Sequence, residues 1–256
     1  MKQKEYAQVI SQCEIAEDIY DMWIETHMAK DAKPGQFIGI YPKDRSTLLP
    51  RPISICEVAE DKQSLRIVYR LAGQGTKEFS SYEKGEKIAI LGTLGNGFPI
   101  EKGMGKEVLL IGGGIGIPPL LETAKQLKGK GIVVSGYRNN KLFLKEDFEK
   151  YGKFYVATED GSVGSKGNVI NAIEENALKA DLIFACGPMP MLKAIKKYSM
   201  EHGIDAYISL EEHMACGVGA CLGCVVNTKE KDAHSHVKNA RICTDGPVFL
   251  AKEVDI

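Results

Sequence analysis

The chain has 256 residues, 44% apolar and 26% charged, with a formal net charge of −1. That length supports two ordinary domains with real hydrophobic cores, and the near-neutral charge argues against a nucleic-acid or anionic-membrane partner. The longest apolar run, VLLIGGGIGIPPLL at 108–121, is too short and too rich in Gly and Pro for a membrane span, and the opening MKQKEYAQVISQ has no apolar core of a signal peptide. A cytoplasmic, reducing compartment is therefore expected, without structural disulfides.

Residues 1–101 carry short β-type runs: YAQVISQCEI, DIYDMWIETH, QFIGIYP, RPISICEV, LRIVYRLA and KIAILG. The turn signals KPGQ, DKQS and EKGE separate them. This rhythm predicts a small antiparallel sheet or barrel. Cys13 and Cys56 lie in two of these runs and read as buried small hydrophobes. Arg51-Pro52-Ile53-Ser54 sets an arginine, a natural partner for pyrophosphate, beside a proline, with a hydroxyl two positions on. Its bland reading is a surface strand that starts at a proline. Val68-Tyr69-Arg70, Gly73-Gln74-Gly75-Thr76 and LGTLGNGF at 91–98 follow. GQGT before KEFSSY predicts a Gly-rich turn opening a short helix, with Thr76 as cap and free amides suited to a phosphate.

Residues 102–212 change rhythm. Strand-like KEVLLIGG, GIVVSGY, KFYVATED and DLIFACG alternate with helix-like PPLLETAKQLKG, NVINAIEENALK and PMLKAIKKYSMEHG, and DAYISLEE offers a fifth strand. The alternation predicts a parallel sheet with crossover helices. Gly112, Gly113, Gly114 and Gly116 follow the first strand and open the backbone to a pyrophosphate at the helix start. They do not form the dinucleotide fingerprint G-x-G-x-x-G; the alternative is a tight strand–helix connection. Pro118 and Pro119 suit a first helical turn. Cys186-Gly187-Pro188 repeats the strand–turn–helix geometry, and a buried thiol at a strand end is one reading of Cys186. ATEDGSVGSKGN at 157–168 reads either as a loop over the nucleotide or as a plain surface loop. Arg138, after the second strand, is placed to meet a 2′-phosphate.

Residues 213–256 are too few to hold a core without a staple. Four of the seven cysteines fall here, spaced Cys216-x4-Cys221-x2-Cys224-x18-Cys243. C-x4-C-x2-C…C is the plant-type [2Fe–2S] spacing. Gly217, Gly219 and Gly223 let the backbone approach, so that N–H groups can point at sulfur. A zinc site is the alternative, but zinc modules present two separated C-x2-C pairs, and only Cys221/Cys224 forms one. His213, His234 and His236 read as solvated loop histidines.

In their order, RPIS, VYR, GQGT, LGTLGNGF, GGGIGIPP, CGP and the cysteine quartet resemble the ferredoxin–NADP reductase superfamily. Within it they resemble the electron-transfer subunits of the two-subunit, NAD-linked dihydroorotate dehydrogenases. The resemblance implies an FAD-binding antiparallel β-barrel (1–101), a parallel α/β NAD-binding domain (102–212) and a small [2Fe–2S] domain (213–256). It implies FAD contacts at Arg51, Pro52, Ile53, Ser54, Val68, Tyr69, Arg70, Gly75 and Thr76. Arg51 would meet the pyrophosphate, Ser54 the flavin's reactive nitrogen, and Tyr69 the ring. NAD would lie at Gly112, Gly113, Gly114 and Gly116, with Cys186 aligning the nicotinamide, and NADH is favoured over NADPH. The implied partner is an FMN-containing catalytic subunit in a heterotetramer, with acid–base chemistry on that partner. Thr93 stands where many relatives carry Pro, and the segment between Cys224 and Cys243 is long. Other readings are a reductase subunit serving another acceptor, such as ferredoxin, or a zinc-stapled nucleotide-binding module without redox chemistry.

Overall fold

Six antiparallel strands close into a barrel in the order β1-β2-β5-β4-β3-β6: β1 (Gln3–Ala16), β2 (Ile19–Glu25), β3 (Phe37–Tyr41), β4 (Arg51–Val58), β5 (Ser64–Arg70) and β6 (Lys87–Leu94). Alternation drives closure. Along β6, Ile88 and Ile90 point inward between more exposed neighbours, and the interior fills with Met22, Ile24, Ile38, Ile40, Ile55, Leu65 and Ile67. Joining the last strand to the first leaves no bare edge. Helix α1 (Gln74–Phe79) plugs one end with Phe79. The structure is a computed structural model describing residues 3–44, 46–231 and 236–256; His234 lies outside the described residues.

Cys56 is buried as expected, but Cys13 is exposed. The reason is a register shift in β1 between Val9 and Ser11. Ala7 and Val9 face inward before it. After it Gln12 does, donating to the carbonyls of Phe79 and Tyr82 at 3.1 and 2.9 Å. A one-residue slip exchanges the faces of every residue beyond it, and Cys13 turns outward.

A short α2 (Ile100–Gly103) leads into β7 (Val108–Gly113). Then come α3 (Leu121–Gln126), β8 (Gly131–Tyr137), α4 (Lys145–Glu149), β9 (Gly152–Thr158), β10 (Ser165–Lys166), α5 (Val169–Glu175), β11 (Leu182–Cys186), α6 (Met189–His202) and β12 (Asp205–Ser209). The sheet order is β10-β9-β8-β7-β11-β12, parallel throughout. β7 and β11 are buried along their whole length, as strands covered on both faces must be. α4 answers to no run singled out in the sequence, β10 lies inside the 157–168 segment read as a loop, and the expected DAYISLEE strand stops at Ser209.

The last segment forms the hairpin β13 (Val225–Asn227) and β14 (Asn239–Arg241), then β15 (Val248–Leu250), which adds to β12 antiparallel. It also sends Cys224, Ile242, Cys243, Ala251 and Val254 into the α/β core. Packing on a larger body therefore shares the work expected of a staple. Among the described residues no helix is long and apolar enough to cross a membrane.

Candidate functional site

Arg70, the glycine turn and Gly187-Pro188 meet in one crevice between the barrel and the carboxyl edge of the parallel sheet, while RPIS and GQGT meet each other on the barrel. Arg51, at the start of β4, lies against the turn before α1: a methyl group on Gly75 would sit 2.8 Å from its Nε. Arg51 also donates from Nη1 to the Leu49 carbonyl at 2.7 Å. Arg70, at the end of β5, reaches the glycine turn, 3.5 Å from where a Cβ on Gly114 would stand. That turn packs in its own right on Cys186-Gly187. A Cβ on Gly116 would fall 2.5 Å from the Cys186 carbonyl and from Gly187 N and Cα, so only glycine lets these two backbones touch.

The cavity so formed is about 580 Å³ and runs along the strand ends. Glu211 and Arg70 stand at one end; Gly113–Gly116 and Gly187 line the middle; Arg138, Glu159 and Asn168 line the other. Such a crevice beyond the carboxyl ends of parallel strands is where α/β proteins hold ligands. Glu211 is exposed at this rim, yet the protein mass around its carboxyl raises its pKa, and the Arg70 guanidinium partly offsets that. Asn168 caps α5 through its side chain, accepting from the N–H groups of Ile170 and Asn171. The 157–168 loop therefore contributes Glu159, Gly167 and Asn168 to the wall.

Three expectations change. Thr76 does not cap α1. Gly73 does, and Thr76 reaches back so that its hydroxyl accepts from the N–H of Ala72 and Gly73 at 2.9 and 3.2 Å. What the turn offers a phosphate is backbone, not that hydroxyl. The Tyr69 ring does not face the crevice. It is 1% exposed inside the barrel, donates to Gln12 Oε1 at 2.7 Å and stacks on Tyr20. Strand alternation explains it: if Arg70 points to the crevice, its neighbour points away. Gly112 packs beneath Ile117 rather than on the wall. Cys186 is a buried thiol, 1% exposed and next to Ser209, directly behind Gly187; burial and the Glu211 carboxylate push its pKa well up.

The second feature is the cysteine loop. Cys224 and Cys243 are buried, Cys216 is half-buried and Cys221 is exposed. The sulfur of Cys216 lies beside that of Cys221, and the sulfur of Cys243 lies beside that of Cys224 and feels Cys216 as well. Gly217 and Gly219 take φ of +67° and +82°, which turns the N–H groups of Val218 and Ala220 onto the Cys216 sulfur at 3.4 and 3.3 Å. Burial opposes ionisation of Cys216, but these donors, together with the backbone N–H and thiol of Cys221, win and bring its pKa down to about 6. At Cys243, burial and the Cys224 thiol push the pKa up to about 11. Arg241 braces the loop, donating from Nη1 to the Gly219 carbonyl at 3.4 Å and pairing with Asp245. Among the described residues no three His, Cys, Asp or Glu converge as around one ion. Thiolates held two to each iron suit a [2Fe–2S] group, and Cys216 already favours the thiolate.

The junction that seats this loop was missed in the sequence. Asn96 donates from its backbone to the Gly246 carbonyl and from Nδ2 to the Asp245 carbonyl, each at 2.7 Å, and its Oδ1 accepts from Val248 N at 3.2 Å. Gln36 donates to the Gly95 carbonyl at 2.8 Å. Leu94, 1% exposed, lies 3.0 Å from where a Cβ on Gly217 would stand. Phe37 pairs with Leu94 on one side and with Ser54 on the other. RPIS and the strand on which the cysteine loop packs are thus two strand spacings apart, roughly 10 Å. The signal was there in LGTLGNGF, but nothing local says that its asparagine bonds 149 residues away.

Comparison with known proteins matches residues 211–255 to the model of the iron–sulfur cluster binding domain of dihydroorotate dehydrogenase B. Similar curated proteins include the electron transfer subunits of dihydroorotate dehydrogenase B (NAD(+)) from Bacillus pumilus and Fusobacterium nucleatum. The first is 44% identical, covering 98% of each chain; the second is 44% identical, covering 95% of each. Among solved structures, a chain from an NADH-dependent reduced ferredoxin–NADP oxidoreductase, described for flavin-based electron bifurcation, superposes with a TM-score of 0.83. It is 29% identical and covers 97% of this chain and 89% of that one. A ferredoxin–NADP⁺ reductase from Neisseria gonorrhoeae shares the fold at a TM-score of 0.65 and 18% identity, covering 83% of this chain and 95% of that one.

Proposed function

The chain belongs to the family of electron transfer subunits of dihydroorotate dehydrogenase B (NAD(+)), and from that premise we propose that it carries electrons between a partner subunit, which oxidises dihydroorotate to orotate, and NAD. The observation that carries the reading is the seating of two thiol pairs on the barrel wall, two strands from Ser54. When bound, FAD exchanges hydride with NAD and single electrons with a [2Fe–2S] cluster.

The chain's own residues bind and orient. Cys216, Cys221, Cys224 and Cys243 hold the cluster, with the Val218 and Ala220 N–H groups directed at sulfur. Arg51 and the backbone about Gly75 and Thr76 hold the FAD pyrophosphate; Ser54, with Pro52 and Ile53, offers a hydroxyl to the flavin; Val68, Tyr69 and Arg70 border it, Tyr69 through its backbone. Gly113, Gly114 and Gly116 admit the NAD pyrophosphate, with Gly112 supporting the turn. The exposed Val218 and Leu222 beside the cysteines form the docking face for the FMN-containing partner, in a heterotetramer with two copies of each chain. The three functional units are 1–101, 102–212 and 213–256. The site of action is the cytoplasm, where ligand thiols stay reduced.

Protein purified without oxygen tests this. It should be brown and contain FAD, iron and acid-labile sulfide in a 1:2:2 ratio, the two irons following from the plant-type spacing. Colourless protein holding zinc overturns it. A subunit of a bifurcating ferredoxin–NADP oxidoreductase is the second reading, favoured only by the superposition at 29% identity; dihydroorotate-dependent NAD⁺ reduction separates the two.

A further inference from the structure

The elements that carry the crevice motifs share a second meeting point, away from the ligands. β4 begins at Arg51 and ends at Glu57-Val58. β5 ends on Val68-Tyr69-Arg70 and carries Arg66. α3 follows the glycine turn and carries Glu122 and Lys125. At these far ends they are tied by buried charge.

Arg66, 9% exposed, donates to Asp21 on β2 from Nε at 3.0 Å and Nη2 at 2.7 Å. It also donates to Glu57 at 3.3 Å, and across the domain boundary to Asp147 on α4 at 3.1 Å. Lys125 donates to Glu57 at 3.3 Å and to the Val58 carbonyl at 2.7 Å. Glu122, 4% exposed, accepts from Val58 N at 2.9 Å. The barrel and the nucleotide-binding sheet thus meet through directional bonds laid beside an apolar contact, in which Cys56 and Val68 pack with Ile117, Leu120 and Leu121. Oil-like contact tolerates small rotations; a buried ionic lattice with a fixed donor for each acceptor does not. Motif and lattice are two to four residues apart on β5, three to seven on β4, and six to nine between Gly116 and the Glu122 and Lys125 of α3, so a tilt at the lattice moves the crevice walls.

Resting on the function proposed above, we propose that Lys125, Arg66, Glu57 and Glu122 form an alignment clamp whose role is to set the nicotinamide half of the crevice against the flavin face of the barrel. These are positioning residues, none of them on the cavity wall. Hydride transfer is steep in distance, and a displacement of about 1 Å can cost about a hundredfold, whereas FAD affinity and nucleotide affinity each depend on one side of the crevice.

The test uses the full FAD- and cluster-loaded chain with Lys125→Met, which keeps the aliphatic stem, and Lys125→Arg. The readouts are FAD content, NADH affinity, flavin reduction at saturating NADH, and the long-wavelength charge-transfer absorbance on adding NAD⁺ to the reduced protein. Lys125→Met should keep FAD and bind NADH within about threefold of wild type. Its reduction rate should fall about tenfold or more, with a weakened absorbance, and Lys125→Arg should restore both. Unchanged rate and absorbance overturn the clamp; so does a parallel loss of FAD, affinity and rate that Lys125→Arg fails to rescue. If Lys125→Met does not fold, Asp147→Asn, which removes one partly exposed arm, must show the same split at smaller size, and an unaltered rate overturns the proposal. Wild-type protein that NADH cannot reduce overturns the functional reading itself.

Discussion

Replacing Gly116 by alanine should damage nucleotide binding while leaving the rest of the molecule intact. The new Cβ would stand 2.5 Å from three backbone atoms, the Cys186 carbonyl oxygen and Gly187 N and Cα. Carbon contacts are comfortable at roughly 3.5–4.0 Å, so one turn must retreat by roughly 1 Å. Neither can do so by rotating a side chain. Overpacking of this kind costs about 1–3 kcal/mol. Because a dinucleotide needs both turns at their native separation, the same energy should reappear as weaker binding, about 5- to 150-fold. The assay is NADH titration of the FAD-loaded protein, with flavin and iron content measured alongside. Gly73→Ala is the control. It lies in the GQGT motif and caps α1, but its φ of 178° is open to any residue and its Cβ would meet nothing within 4 Å. It should change stability by less than about 0.5 kcal/mol. If Gly116→Ala binds NADH within twofold of wild type, close backbone approach is not what builds this wall.

Other outcomes follow from the same geometry. In protein freed of iron, iodoacetamide should modify Cys216 with an apparent pKa of about 6, whereas a value near 8.5, that of a free thiol, would show that the Val218, Ala220 and Cys221 donors do not act. The sign is that of a depressed pKa: the stabilisation is complete above the unfolded value near 9 and is lost as pH falls through about 6. Tyr69→Phe should remove only the hydrogen bond to Gln12. The loss is about 1 kcal/mol, or about 2–4 °C in Tm, with the flavin spectrum unchanged; a shifted spectrum would put the ring back in the crevice.

The domains were legible because their periodicities differ: RPISICEV and KIAILG alternate as half-buried strands do, and VLLIGG is apolar throughout, as a strand covered on both faces is. The cysteine spacing was legible because it is local. Side-chain direction and distant contacts were not. The register shift that exposes Cys13 and turns Gln12 inward depends on the partner strand. Thr76 reads as a cap from composition, yet capping is decided by which residue leaves the helix, and that is Gly73. Asn96 looks like one more turn residue in LGTLGNGF until the chain returns at Asp245–Val248 to meet it. The charges of Arg66, Glu57 and Lys125 look like ordinary strand and helix surface, and only the docking of two domains buries them.

The most direct test of electron passage through this chain is dihydroorotate-dependent NAD⁺ reduction with the catalytic partner, comparing wild type with Cys221→Ser. Wild type should support the coupled reaction, and the variant should lose it while NADH oxidation by an artificial flavin oxidant persists. A Cys221→Ser protein that still reduces NAD⁺ at the wild-type rate would contradict the account.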